Sequence, residues 1–230
     1  MNMDVYLIPT RTPERYELYY EAPDEEIVDT REGSGFFHRM KLRFSEMLHE
    51  AEEWRHRRHE HEPEPVGLFG KMRRRVMGFV VERIAEQRLL WHMRNATEVC
   101  ARIPADLEQA EADRVIRGML KKDADHHLKW TLIDFALLML SVPLIVLPGP
   151  NLPGLYFTFQ CVGHFLSMRG AKQGLSGVQW TFTASEDLSE LREAMRLAAP
   201  QRQRRVREVA LRLHLEHLAT FCEDVAATTA

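Results

Sequence analysis

The 230-residue sequence has little cysteine and no catalytic signature. Cys100, Cys161 and Cys222 are its only cysteines. They are scattered, with no CxxC pair, so they build no disulfide framework and fit a reducing compartment. Eleven histidines are present, but no HExxH motif and no Cys/His spacing of a zinc module. His56, His59 and His61 share one polar tract, His126 and His127 are adjacent, and His214 and His217 are three apart. No metal is expected. GxSxG, GxxxxGKS/T and GxGxxG are missing as well, and Gly33-Ser34-Gly35 is too short to cradle a phosphate. The expectation is therefore no catalytic residue, no cofactor and no enzymatic activity. Net charge is −3 with a pI near 6.4, which argues against a nucleic-acid partner. The opening MNMDVYLIPT has no basic region leading into an apolar run, nor the Arg/Ser-rich, acid-poor look of a transit peptide, so no cleaved signal is expected.

Against this polar background one stretch stands out. Residues 130–168 hold two apolar runs around the elbow Pro148-Gly149-Pro150-Asn151-Leu152-Pro153-Gly154. The first run, 131–147, has one charge, Asp134; the second, 155–168, has none. At about 1.5 Å per residue each run spans about 20–27 Å. A bilayer core is about 30 Å thick and asks for about 20 residues. Such runs suit a hairpin that dips into a membrane and returns, or two short spans under thinned lipid. Pro148, Pro150 and Pro153 interrupt helix, Gly149 and Gly154 permit the turn, and Pro143 should kink the first run. Basic residues flank both ends: Lys121, Lys122, His126, His127 and Lys129 before, Arg169 and Lys172 after. By the positive-inside rule both ends face the cytoplasm, or the matrix of a mitochondrion. The competing reading is a helical hairpin buried in a soluble domain.

The rest of the chain arranges itself around this stretch. Residues 3–9 and 15–22 read as a β-hairpin, and 177–183 (GVQWTFT) as a third strand joining it. Residues 36–59 have helical spacing and run into a polar linker, 56–65. A second helix over 66–97 opens with Lys71, Arg73, Arg74 and Arg75 beside apolar residues, a mix that suits an anionic membrane surface or an ordinary solvated face. Pro104 is read as opening a third helix that continues into the apolar run. Gly170, Gly174 and Gly177 would let the chain turn after Met168. Helices follow over 185–198 and 201–226, with Ser185 as a cap, Pro200 as a breaker and a break near 213–215. The predicted class is α+β, mainly α: long helices, one hydrophobic helical hairpin and a small antiparallel sheet. The expected segments are 1–32, 33–62, 63–129, 130–168 and 169–230.

Asp134 and His164 interrupt the apolar hairpin, where ionisable groups are costly and usually paired or functional. Folding about the elbow brings Asp134 within reach of His164 or Arg169. Such a pair would staple the hairpin shut or bind a proton or cation. Its position near the entrance rather than the midplane favours the staple.

LPGPN, GHFLSMRGAKQGL and VQWTF, with VYLIPT, RIAEQRLLWHMR and LHLEHLATF elsewhere, resemble the mitochondrial K+–H+ exchange-related family and its bacterial members. The resemblance touches most of the chain and is most specific over 129–175. Residues matching the family pattern are Trp130, Asp134, Pro148, Gly149, Pro150, Asn151, His164, Arg169 and Gly170. It implies a role in K+–H+ exchange at an inner membrane: plasma membrane with cytoplasmic termini, or mitochondrial with termini in the matrix. It does not make every member a carrier. One hairpin cannot enclose an ion path, so transport would need a homo-oligomer or a membrane-protein partner. The expectation is an accessory on the lipid bilayer, with Lys71, Arg73, Arg74, Arg75, Lys121, Lys122, Lys129 and Lys172 at its surface. The alternative is a non-transporting membrane- or protein-interaction scaffold. K+ and H+ enter only through the resemblance.

Overall fold

Strand β1 (Asn2–Pro9) is apolar at almost every position because both of its faces are covered. Met3, Val5 and Leu7 enter one core, while Tyr6 and Ile8 enter another. Side chains alternate along a strand, so two cores on one strand place the sheet between two helical layers. The computed structural model describes residues 2–12, 14–21, 89–141, 143 and 152–228. The expected helix over 36–59, its linker, Lys71, Arg73, Arg74, Arg75 and the elbow residues Pro148, Gly149, Pro150 and Asn151 lie outside the described residues.

β2 (Tyr16–Tyr19) returns antiparallel to β1, from Tyr6 opposite Tyr19 to Pro9 opposite Tyr16, which is the hairpin expected. The remaining sheet differs from the expectation. After helical residues 89–93, β3 (Glu98–Pro104) lies parallel to β1, and β4 (Gln179–Ser185) lies parallel to β3. The order is β2-β1-β3-β4. The sheet is therefore mixed rather than antiparallel, and β4 pairs with β3 instead of with the hairpin. β3, EVCARIP, escaped because it lies between two strong helical patterns and its alternation is modest. Val99, Ala101 and Ile103 go into the core, while Cys100 and Arg102 face the other way. Pro104 ends this strand and does not open a helix.

Helix α1 (Gln109–Ser141) and helix α2 (Leu152–Ser176) form the crossover between parallel strands β3 and β4. Parallel neighbours need such a connection. Its base packs on the sheet through Ala112, Ile116, Leu120 and Ala124 of α1 and Ala171 of α2. α1 passes without a break from this polar base into the apolar run, as the sequence suggested, and stops two residues before Pro143. α2 begins at Leu152, so Pro153 and Gly154 belong to its first turn. It continues past Met168 to Ser176. Gly170 and Gly174 are inside α2 and do not turn the chain. A Cβ on Gly170 would run into the Leu90 backbone, and one on Gly174 into the side chains of Met93 and Leu120. These glycines admit the helical residues 89–93 against α2.

The second layer is built from α3 (Glu186–Met195), α4 (Ala199–Leu213) and α5 (Leu218–Thr228). Leu188, Leu191, Met195, Val206, Val209, Leu218 and Cys222 pack beneath Tyr6, Ile8 and Tyr19. Ser185 occupies the N-cap position of α3, but its hydroxyl makes no capping bond. The break after Leu213 is present: His214 adopts a left-handed conformation at φ 55°. Buried Arg202 clasps Glu223 at 3.2 Å and ties α4 to α5.

Candidate functional site

Beyond Ala124, helix α1 changes character. Its buried residues become His127, Asp134 and Ser141, spaced seven apart on one face. Its large apolar residues turn outward: Leu128, Trp130, Leu132, Phe135, Leu137, Met139 and Leu140, joined by Tyr156 and Phe165 of α2. Leu132 is 62 %, Phe135 52 % and Leu140 74 % exposed. Among the described residues only Leu197 and Leu211 are large exposed apolar side chains outside this hairpin. A helix in water does the reverse, hiding its apolar stripe and showing its polar one.

The inner seam is polar and finely fitted. His127 Nδ1 and His164 Nδ1 stand 2.8 Å apart in a buried hydrogen bond. His164 Nε2 faces Asp134 Oδ2 at 3.7 Å. One proton fits between the two Nδ1 atoms, and two do not. The array can therefore hold a proton between the rings and pass it only by exchanging tautomers. Trp130 stacks on His164, with ring centres 6.3 Å apart and planes 22° apart. Below, Trp91 donates its indole N–H to Ser167 Oγ at 2.9 Å and to the Gly163 carbonyl at 3.2 Å. Small residues on α2, Gly163, Ser167, Gly170 and Ala171, are buried and allow close helix contact. The hydroxyls of Thr131, Ser141, Thr158 and Ser167 each donate to a carbonyl of their own helix, at 2.7, 2.7, 2.7 and 3.0 Å. These four hydroxyls are thus satisfied within the hairpin, as a poorly solvated setting requires.

The expected Asp134–His164 contact is present. Arg169 does not join it: it is exposed, with no ion pair among the described residues. The member that sequence reasoning missed is His127, grouped there with the flanking basic residues. Its signal was the seven-residue spacing to Asp134, which puts both on one helical face. Lys121, Lys122, Lys129, Arg169 and Lys172 are all exposed. Because His127 faces His164 across antiparallel helices, Lys122 falls near the level of Arg169. A basic zone therefore surrounds the hairpin just below its apolar part. Among the described residues no group of three or more His, Cys, Asp and Glu side chains is placed to hold a metal ion. Among them, too, no helix is long and apolar enough to cross a membrane. The expected transmembrane helix is thus not found there, and part of the apolar run, 144–151, lies outside the described residues.

Fold and seam together define an α+β protein that carries an inside-out helical hairpin on a mixed sheet. A family model described as mitochondrial K+–H+ exchange-related matches residues 43–176, more than half of the chain. The chain belongs to the mitochondrial K+–H+ exchange-related family. No curated protein and no solved structure matches it.

Proposed function

We propose that this protein is a membrane-attached accessory in cation–proton homeostasis, held by the tip of the α1–α2 hairpin dipping into the bilayer. The observation that carries this reading is the inverted burial of the hairpin: His127, Asp134 and Ser141 inside, leucines and aromatics outside. Exposed apolar surface of this extent, rimmed by basic residues, suits an anionic lipid surface. From Thr131 to Ser141, α1 rises about 16 Å, close to one leaflet of a core about 30 Å thick. Trp130 then falls at the headgroup level, with Lys129, Lys122, Arg169 and Lys172 beneath it. In a mitochondrion the sheet and both ends of the chain would lie on the matrix side of the inner membrane; in a bacterium, on the cytoplasmic side of the plasma membrane.

The accessory role follows from the seam. Among the described residues His127, His164 and Asp134 meet one another between the helices, which speaks against a potassium lane within a single hairpin. Exchangers bind their ions between helix bundles near the midplane. Carrying K+ would require a second copy or a membrane-protein partner. No enzymatic step and no cofactor is part of this reading.

Carbonate extraction of membranes tests the insertion. Retention is expected, and release with the peripheral proteins would overturn it. Purified protein in vesicles with an internal pH dye tests the role. No potassium-driven proton flux is expected, and flux from the protein alone would make it the carrier. A second reading, a non-transporting interaction module whose apolar face covers a partner helix, is favoured by the shortness of the apolar helical stretches. Carbonate release in a complex with another protein would select it.

A further inference from the structure

A cavity of about 240 Å³ lies where the β1–β2 turn meets the end of α3, outside the residues matched to the family. It is lined by four arginines, Arg11, Arg15, Arg192 and Arg196, and by one acidic residue, Glu14. Several other arginines on this unit have acidic partners, Arg102 with Asp4, Arg117 with Asp113, Arg202 with Glu223 and Arg212 with Asp187, whereas Arg114, Arg169 and Arg207 stand singly on the surface. Arg192 does too, gripping Asp106 while donating to the Tyr16 hydroxyl at 2.7 Å. Arg11, Arg15 and Arg196 form no ion pair among the described residues. Four arginines against Glu14 leave positive charge in excess around one small space, even with Glu17 near Arg15, and an anion would relieve that.

The wall is held in place. Arg192 is pinned over the Tyr16 ring, 5.6 Å from its centre. Arg192 and Arg196 are one helical turn apart. The turn closes on itself through Thr10 N–H to the Arg15 carbonyl at 3.0 Å, Arg15 N–H to the Thr12 carbonyl at 3.2 Å, and the buried Thr10 hydroxyl to the Thr12 carbonyl at 3.3 Å. Glu14 adopts the left-handed region, φ 63°, a conformation uncommon for a residue with a side chain. Arg11 and Arg15 therefore flank a turn whose described residues are tied together by these bonds.

We infer that this cavity binds the phosphate or diphosphate group of a soluble phosphorylated small molecule. Guanidinium forks match phosphate oxygens in pairs. The volume lies below the roughly 300 Å³ at which pockets for drug-sized ligands begin, so the phosphate enters and the rest of the molecule stays outside. The C-terminal end of α3 offers no help from its dipole, and the guanidinium charges must supply the attraction. A lipid headgroup is the other source of this chemistry. Distance disfavours it: α1 leaves the sheet at this same end, and Leu128 lies about 28 Å further along its axis from Gln109. A hairpin tip in the bilayer keeps the cavity away from that surface.

Calorimetric titration of the full chain with sodium pyrophosphate, in detergent, tests this. Saturable binding that weakens with added salt is expected. The Arg15→Gln/Arg196→Gln variant should lose affinity by at least about tenfold, since charged hydrogen bonds are the stronger polar contacts. Arg207→Gln, on an exposed arginine of α4, should bind as the parent does. No saturable binding, or equal binding by the double variant, overturns the inference. So does binding to phosphatidic-acid vesicles through Arg15 and Arg196 with none to pyrophosphate. Near-UV circular dichroism confirms folding; if the double variant does not fold, Arg11→Gln alone serves, with the same expectation and the same refutation.

Discussion

Replacing Leu132, Phe135 and Leu140 together by Gln should detach the protein from lipid without unfolding it. These side chains keep 62 %, 52 % and 74 % of their surface exposed. That fraction is what a bilayer would cover and the protein does not. Full burial of a Leu or Phe side chain is worth about 1.5–3 kcal/mol, so the three exposed fractions together amount to about 3–5.5 kcal/mol. At about 1.4 kcal/mol per factor of ten, membrane partition should fall by at least about a hundredfold. Flotation with vesicles of phosphatidylcholine and cardiolipin measures this directly. The urea midpoint should hardly move, because these side chains contribute little to the core. Leu197→Gln and Leu211→Gln, exposed but outside the hairpin, should float as the parent does. A triple variant that floats unchanged would refute the lipid assignment. A variant whose hairpin unfolds before flotation is lost would show that the belt packs on protein.

Four further outcomes follow from the packing. Gly170→Ala should cost at least about 2 kcal/mol in chemical unfolding, because a methyl group there meets the Leu90 backbone, which cannot swing aside. His164→Leu removes a partner of both His127 and Asp134 within the seam and should cost about 1–3 kcal/mol by the same measurement. Burial raises the Asp123 carboxyl above its usual range, against the pull of Lys122 and His126. The folded state thus favours protonated Asp123, and this contribution is present at low pH and lost as pH rises. Asp123→Asn should therefore stabilise the protein at pH 7, an advantage that fades on acidification and that urea titrations at the two pH values would measure. Burial pushes the Cys222 thiol up to about 12, so a thiol reagent at pH 8 should modify Cys100 and Cys161 first and reach Cys222 only on unfolding.

The hairpin was legible because a proline-hinged apolar stretch in a polar chain can hide its backbone polar groups in few ways other than two helices folded back on each other. Asp134 and His164 could be paired by folding that stretch about its elbow, since antiparallel helices fix which residues are level. His127 stayed hidden because it was counted as a flank charge rather than as a position on the Asp134 face. Charge reading ignores helical phase. β3 was obscured for a different reason: Cys100 and Arg102 soften its alternation, and Pro104 mimics a helix start. Its assignment depends on β1 and β4 lying beside it, a tertiary fact that no window over 98–104 contains. Gly170 and Gly174 looked like turn residues. Their purpose appears only once residues 89–93 are laid against α2.

The crossover position of the hairpin constrains how it can act. α1 grows out of β3 and α2 runs into β4, and these strands pair in register over their whole length, from Glu98 opposite Gln179 to Pro104 opposite Ser185. Their separation is fixed by that ladder. At the base, Ile116 and Leu120 pack beside Ala171, and Gly174 leaves no slack against Met93 and Leu120. Sliding one helix along the other would break this base and pull apart the His127–His164 contact, since a register shift moves every facing pair at once. The two helices therefore cannot ratchet past each other while the sheet stays folded. An element tied in this way transmits position rather than motion. That behaviour fits the anchor proposed above, and it supports the proposal that any ion-moving step would fall to a second copy or a partner.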